Sequence, residues 1–231
     1  MFFPTSNIRP PTSKPEVNGM SDDRTYYKPE DFNKLMVKEA RAAYDVSAEK
    51  LTFDIVSKWK AGEGERWELL NGMPIKMQSP SPRHQEISGE LFAMFREYLK
   101  GKSCKIFSAI DARLNYDTSD DTYFAPDLVV LCDRKKLDRT GIKGVPDLVI
   151  EILSPSTRRY DILVKRREYE KAGVKEYWLV DQEDGVVEVA LLNEDGFYRS
   201  RTYSNKESIK VGILEDLVIN LADVLEDLWA D

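Results

Sequence analysis

The sequence predicts an α/β domain built on a mixed β-sheet flanked by helices, and two observations carry that prediction. The stretch 144–181, GVPDLVIEILSPSTRRYDILVKRREYEKAGVKEYWLVD, runs strand, polar turn, basic helix and second strand without a gap. Strand, helix and strand in that order imply a right-handed parallel crossover. Two apolar segments ahead of it, at 105–114 and 125–131, read with the first strand of the stretch as an antiparallel meander separated by polar turns. Parallel and antiparallel pairs together give a mixed sheet with helices on its faces.

The chain has 231 residues, enough for one sizeable core and short for two full domains. A hydrophobic content of 42% with 10% aromatics suits an ordinary globular protein. The net charge of −7 argues against a protein that coats nucleic acid nonspecifically, but leaves room for a local basic site. Cys104 and Cys132 are too few for a disulfide scaffold and lack metal-ligand spacing, so reduced thiols are expected. No apolar run approaches the roughly 18 residues that span a bilayer. The N-terminal MFFPTSNIRPPTSKPEV lacks a basic region followed by an apolar core. A cytoplasmic protein, not bound to membrane, is expected.

Taken in order, residues 1–29 hold Pro4, Pro10, Pro11, Pro15 and Pro29 among Ser, Thr and Asn, the composition of a disordered tail. Residues 30–50 are expected to be a helical extension, carried by Phe32, Leu35, Met36 and Ala40. Residues 51–231 then form the main domain. Thr52 is the expected N-cap of a short helix with Phe53, Ile55, Val56 and Trp59. Residues 66–78, RWELLNGMPIKMQ, read as a hairpin about Asn71-Gly72. Residues 84–99 read as an amphipathic helix with Ile87, Leu91, Met94, Phe95 and Tyr98 on one face. Strands are expected over 105–114, 125–131 and 146–153, with a polar, mobile connection over 132–145. A helix from about 157 to 172 ends at Gly173, a good C′ residue. Another strand follows over 174–181, then a hairpin over 186–192 and 197–203, then a C-terminal strand and short helix.

The acid inside the third strand is the first chemical signal. Glu151 stands between Ile150 and Ile152, where a carboxylate is costly to bury without a proton, a base or a metal ion. If the strands at 125–131 and 146–153 pair antiparallel with Leu131 opposite Asp147, then Val129 meets Val149 and Asp127 meets Glu151. Both acids would then project to one side. Two opposed carboxylates repel, and a divalent cation or a shared proton relieves that. Oxygen ligands favour Mg2+ or Mn2+ over zinc. Asp147 and Asp111 are reserve acids.

On the following helix Ile162, Lys165 and Tyr169 share a face. Lys165 is either a solvated helix lysine or a site residue that snorkels to the sheet edge, where its ammonium would stabilise an oxyanion or position a water. Over 156–175 seven basic side chains, Arg158, Arg159 and Arg166 among them, face three acidic ones. Such a helix draws a phosphate-bearing substrate or is simply a solvated face. Glu90, beside Leu91, is a solvated helix residue or a carboxylate facing the site. His84, the single histidine, caps its helix or serves the site in an accessory role. No Gly-rich phosphate loop and no Gly-x-Ser-x-Gly elbow is present.

At these residues the sequence resembles a large bacterial family of putative restriction endonucleases, formerly a domain of unknown function, within the PD-(D/E)XK nuclease superfamily. The resemblance spans about 51–221. It runs through WELLNGMP at 67–74, SPSPRHQEIS at 79–88, APDLVV at 125–130 and PDLVIEILSPST at 146–157, then Asp161, Lys165, Tyr169 and AGVKEYWLVD at 172–181. It implies a restriction-endonuclease-like fold and hydrolysis of DNA phosphodiesters with Mg2+ or Mn2+. Asp127 and Glu151 match the metal-binding acids. The lysine that should stand two residues after the glutamate is replaced by Leu153, and Lys165 resembles a lysine migrated to the next helix. Glu90 resembles the superfamily's first-helix acid. Arg158, Arg159 and Arg166 would meet the DNA backbone, and a homodimer would suit double-strand cutting. The alternatives are a nuclease-like module that binds nucleic acid or protein without cutting, or another metal-dependent phosphoesterase.

Overall fold

The computed structural model describes residues 51–57 and 66–225. The expected tail over 1–29, the helical extension over 30–50, Trp59 and the chain beyond 225 lie outside the described residues.

The first elements follow local chemistry. Helix α1 (Phe53–Val56) begins after Thr52 and buries Phe53 and Val56. Strands β1 (Arg66–Leu70) and β2 (Met73–Met77) pair antiparallel, with Leu70 opposite Met73. Asn71 and Gly72 both have left-handed backbones, φ 49° and 79°, the pair of positive angles that a tight hairpin turn needs. Helix α2 (Pro82–Tyr98) starts from an extended Ser81, whose hydroxyl accepts the His84 backbone N–H, with Pro82 at the first helical position. It buries Ile87, Leu91 and Phe95.

The strand expected over 105–114 is broken in two. Strand β3 (Lys105–Ser108) ends at Ala109, whose φ of 54° turns the chain out of the sheet, and β4 (Ala112–Arg113) belongs to a second sheet. The expected 125–131 strand is shorter for the same reason. Strand β5 (Tyr123–Phe124) pairs in the second sheet, and only β6 (Leu128–Leu131) in the first. The connection over 132–145 is not featureless, because it holds a 3-10 turn at Arg134–Lys136 and β7 (Ile142–Lys143), parallel to β4. After β8 (Leu148–Ile152), helix α3 runs through Arg158–Tyr160, a π turn at Asp161–Lys165 and Arg166–Ala172, stopping at Gly173 with φ 91°. Then come β9 (Glu176–Asp181), β10 (Val186–Leu192), β11 (Tyr198–Ser204), β12 (Ser208–Lys210), β13 (Val218–Asn220) and helix α4 (Leu221–Leu225).

Six strands make the central sheet, in the order β11-β10-β9-β8-β6-β3. Only β8 and β9, joined through α3, run parallel. Alternation splits its side chains between two cores. Leu148, Ile150 and Ile152 pack with Ile87, Leu91 and Phe95 of α2, while Val149 packs with Val164 and Tyr169 of α3 and with Phe124 of the second sheet. That second sheet has the order β2-β1-β5-β4-β7, and β12 pairs with β13 apart from both. Glu151 therefore falls on the α3 side, between the two sheets.

The cysteines depart from expectation. Cys104 and Cys132 form a disulfide. The β3–β6 register sets Lys105 opposite Leu131, so the residues one step outward face each other across the pair. That adjacency depends on pairing between distant segments, which spacing in the sequence does not reveal.

Candidate active site

The expected register forms. Val129 pairs with Val149 and Leu128 with Ile150, and one further step sets Asp127 opposite Glu151. Asp127 is fixed there by its own chemistry, because its Oδ2 accepts the Ile152 backbone N–H at 2.8 Å. The same oxygen lies 3.1 Å from His84 Nε2. Burial lowers the His84 pKa, but the hydrogen bond and charge of Asp127 outweigh that, and the net direction is upward. At the other end of the pair Asp147 is spent on structure. It accepts the Cys132 N–H at 2.8 Å and pairs with Lys175, so it is not brought to the acids.

Lys165 comes in from α3 and is 2% exposed. Its Nζ lies 2.9 Å from Glu68 Oε1, 3.1 Å from Glu151 Oε1 and 3.3 Å from Asp161 Oδ1. Tyr169 donates to Glu151 Oε1 at 3.0 Å. The shared face of Lys165 and Tyr169 thus delivers both to one carboxylate, across a π turn of the kind that recurs at functional sites. Three carboxylates around one ammonium leave an excess of negative charge out of water. Burial, the largest cause, pushes the Glu151 carboxyl well up, with Asp161, Asp127 and Glu68 pushing the same way against Lys165. Burial likewise takes Asp161 to about 6 against the pull of Lys165. Burial alone would lower the Lys165 pKa, but Glu151, Glu68 and Asp161 together raise it well above its ordinary value.

A cleft of about 380 Å³ opens at this point, lined by Arg66, His84, Asp127, Glu151, Asp161 and Lys165 among others. Two Ser-Pro-Ser loops, at 79–81 and 154–156, lie along it. Of the accessory residues, His84 is in the cleft. Glu90 is not. It is exposed on α2 and absent from the lining, because the residues of that helix that reach the cleft are Ser81, His84, Gln85 and Ser88, and Glu90 lies round the cylinder from them. Asp111 is half-buried outside the lining, pushed up to about 6 by burial.

The basic side chains separate. Arg158 pairs with Asp181 and, at 3.1 Å, with Asp184. Arg159 is exposed at the start of α3. Arg166 pairs with Glu188 and donates to Ser200 at 2.7 Å, against β10 and β11, and does not line the cleft. Sequence reasoning assigned no role to Arg66, Glu68 or Asp161, although Glu68 and Asp161 stand among the residues that carry the resemblance. Glu68 carried the same signal as Glu151, an acid inside an apolar strand. Asp161 precedes Lys165 by one helical turn.

Among the described residues no group of three or more His, Cys, Asp or Glu is arranged to hold a metal ion. Asp127 and Glu151 offer less than a cage but a usable pair. Each has one oxygen committed, Asp127 Oδ2 to Ile152 and His84, Glu151 Oε1 to Lys165 and Tyr169. The other oxygen of each has no hydrogen bond among the described residues. Mg2+ is ordinarily bound by one or two carboxylates, with water and substrate phosphate completing its shell. The donor set fits such an ion.

The fold and site define a restriction-endonuclease-like protein, a mixed sheet flanked by helices with paired acids at one cleft. The chain belongs to the Uma2 family, described as putative restriction endonuclease, whose family model matches residues 53–222. It is similar to an uncharacterized protein of Synechocystis sp., 28% identical over 163 residues, covering 70% of this chain and 85% of that one. It shares its fold with the crystal structure of a putative nuclease belonging to DUF820 from Anabaena variabilis. That likeness has a TM-score of 0.62 at 20% identity, covering 76% of this chain and 97% of the other. No helix among the described residues is long and apolar enough to cross a membrane.

Proposed function

We propose that the protein is a metal-dependent endonuclease that hydrolyses DNA phosphodiester bonds. The observation that carries this reading is the meeting of Asp127 and Glu151 across β6 and β8, with Lys165 arriving from the next helix at the same cleft. Asp127 and Glu151 would hold Mg2+ or Mn2+, which would polarise a phosphoryl oxygen and lower the pKa of an attacking water. In the reaction a water oxygen bonds to phosphorus and sheds a proton to solvent, the P–O ester bond breaks, and the leaving alkoxide takes up a proton from solvent. The Ile152 N–H and His84 fix Asp127, so that its second oxygen meets the cleft in one orientation. Lys165 supplies positive charge beside Glu151, where charge develops on the phosphoryl group. Arg66, in the cleft, and Arg158 and Arg159, at the start of α3, contact the DNA backbone.

The test is cleavage of supercoiled plasmid in Mg2+ or Mn2+ by wild type, Asp127→Asn and Glu151→Gln. Nicking or linearisation by wild type alone supports the proposal, and equal activity in all three sinks it.

A second reading, a nuclease-like module that binds without cutting, is favoured by one observation. Lys165 is enclosed by three carboxylates, an arrangement that leaves it little to offer a substrate. Wild type that retains plasmid in a gel shift but leaves it uncut in either metal selects this reading.

A further inference from the structure

Glu68 lies within the WELLNGMP stretch but had no role assigned to it, yet it is fully buried and makes the shortest contact to Lys165. We propose that Glu68 is a positioning residue of this site: it anchors the Lys165 ammonium from the second sheet, so that Lys165 stays at the cleft when Glu151 is engaged by a cation. The inference rests on the nuclease reading for its purpose, but its geometry stands independently.

Glu68 sits on β1, in the sheet facing the α3 side of the central one. Its Oε1 accepts the Ala125 N–H at 3.0 Å as well as meeting Lys165. Ala125 is two residues before Asp127, so one carboxylate oxygen fixes both the chain leading to the first acid and the amine that serves the second. Its other oxygen, Oε2, is buried with no hydrogen-bond partner. A buried carboxylate left half satisfied is costly, and a strand needing only an apolar side chain here would do better with leucine. The cost is offset by the charge of Lys165.

An ammonium has three N–H donors, and three carboxylates lie within 3.3 Å of this one. Of the three partners only Glu151 is a candidate metal ligand. Once its charge is shared with a cation, its hold on Lys165 weakens. Glu68 and Asp161 then keep the ammonium in place with its Glu151-facing donor turned to the cleft. Without Glu68 the sole remaining anchor is Asp161, one turn away on the same helix, which cannot tie α3 to the second sheet.

The test compares wild type, Glu68→Gln, Glu68→Asp and, as a control, Glu176→Gln. Glu176 is equally buried, but bonds Trp178 Nε1 and the Ile213 N–H on the other side of the sheet. Acylation of Lys165 by an amine-reactive ester, followed by peptide mass spectrometry with EDTA and with Mg2+, reads the anchor without reference to cleavage. Glu68→Gln keeps the acceptor for Ala125 but removes the charge. It is expected to acylate at Lys165 at least fivefold faster than wild type, while Glu176→Gln labels as wild type. In single-turnover cleavage Glu68→Gln is expected to lose at least tenfold in rate with apparent substrate affinity within twofold, and Glu68→Asp to recover part of that loss. Folded Glu68→Gln with wild-type labelling overturns the inference and leaves the nuclease reading standing. If Glu68→Gln does not fold, wild-type Lys165 that acylates in Mg2+ as fast as the exposed Lys171 overturns it equally. Wild type that never cuts overturns the nuclease reading, and the labelling still decides the role of Glu68.

Discussion

Lys165 Nζ lies 2.9 Å from Glu68 Oε1, joining the crossover helix of the central sheet to the first strand of the other. The pair is buried on both sides, so it is held by Coulomb attraction in a poorly screened place and destroyed at high cost. Removing one partner of a buried pair typically costs about 3–5 kcal/mol, because an uncompensated charge remains. Here Lys165→Met would strand three acids at once. The variant is expected to lose stability of that order at pH 8 in urea unfolding. It should lose less at pH 5, where the raised Glu151 and Asp161 carboxyls take up protons. A loss below about 1 kcal/mol at pH 8 would show that the cluster is not a structural tie.

The paired acids predict a binding signal that does not require cleavage. A cation that binds only the folded chain stabilises it by about 2.7 kcal/mol at a hundredfold excess over Kd. Thermal unfolding of wild type is expected to shift upward with Mg2+ or Mn2+, and the shift to vanish in Asp127→Asn and Glu151→Gln. An unchanged shift in both variants would place the ion elsewhere.

Arg66 and Arg166 should separate in their effects. Arg66 lines the cleft and donates to the Ala109 carbonyl at 2.7 Å, while Arg166 is paired with Glu188 away from it. A phosphate contact adds roughly one to the salt dependence of DNA affinity. Arg66→Ala, in a Glu151→Gln background to prevent cutting, is expected to weaken oligonucleotide binding and flatten its salt slope by about one. Arg166→Ala should leave binding unchanged. The reverse pattern in fluorescence anisotropy would return the substrate to the outer face of α3.

These two arginines show what the sequence could and could not tell. Strand–turn–helix–strand around Glu151 was legible because each step is local, while the β6–β8 register was only one that matching two short apolar runs allowed, since the long connection does not fix it. Lys165 was legible as spacing on a helix. Its burial was not, since that depends on Glu68 arriving from a strand nearly a hundred residues earlier. Glu90 was left open between a solvated residue and a site carboxylate, because a resemblance fixes a residue's place along a helix, not which way the helix is rolled. The split of the 105–114 segment was invisible because the break lies at Ala109, a residue that seldom takes a positive φ, where the chain changes sheets. Charge counts over 156–175 likewise said nothing of partners, and Arg158 and Arg166 turned out to face acids on β9, the turn after it, and β10.

Asp111 offers a pH test away from the paired acids. Burial is the main cause that lifts its pKa from 3.8 to about 6, with Glu68 pushing the same way and Arg66 and Arg113 opposing. A carboxyl whose folded pKa is raised favours the folded state while it is protonated, so its contribution is full below about pH 4 and is lost as pH rises through about 6. At about 1.4 kcal/mol per pKa unit, the loss above pH 6 reaches at most about 3 kcal/mol. Asp111→Asn removes the ionisation but keeps the shape. It is therefore expected to match wild type in urea unfolding at pH 4 and to exceed it at pH 8, the two diverging between about pH 4 and 6. Equal stability at both ends would mean that Arg66 and Arg113 neutralise the charge in the folded chain. Lower stability of Asp111→Asn at pH 8 would mean that the ionised carboxylate is itself a net tie to those two arginines.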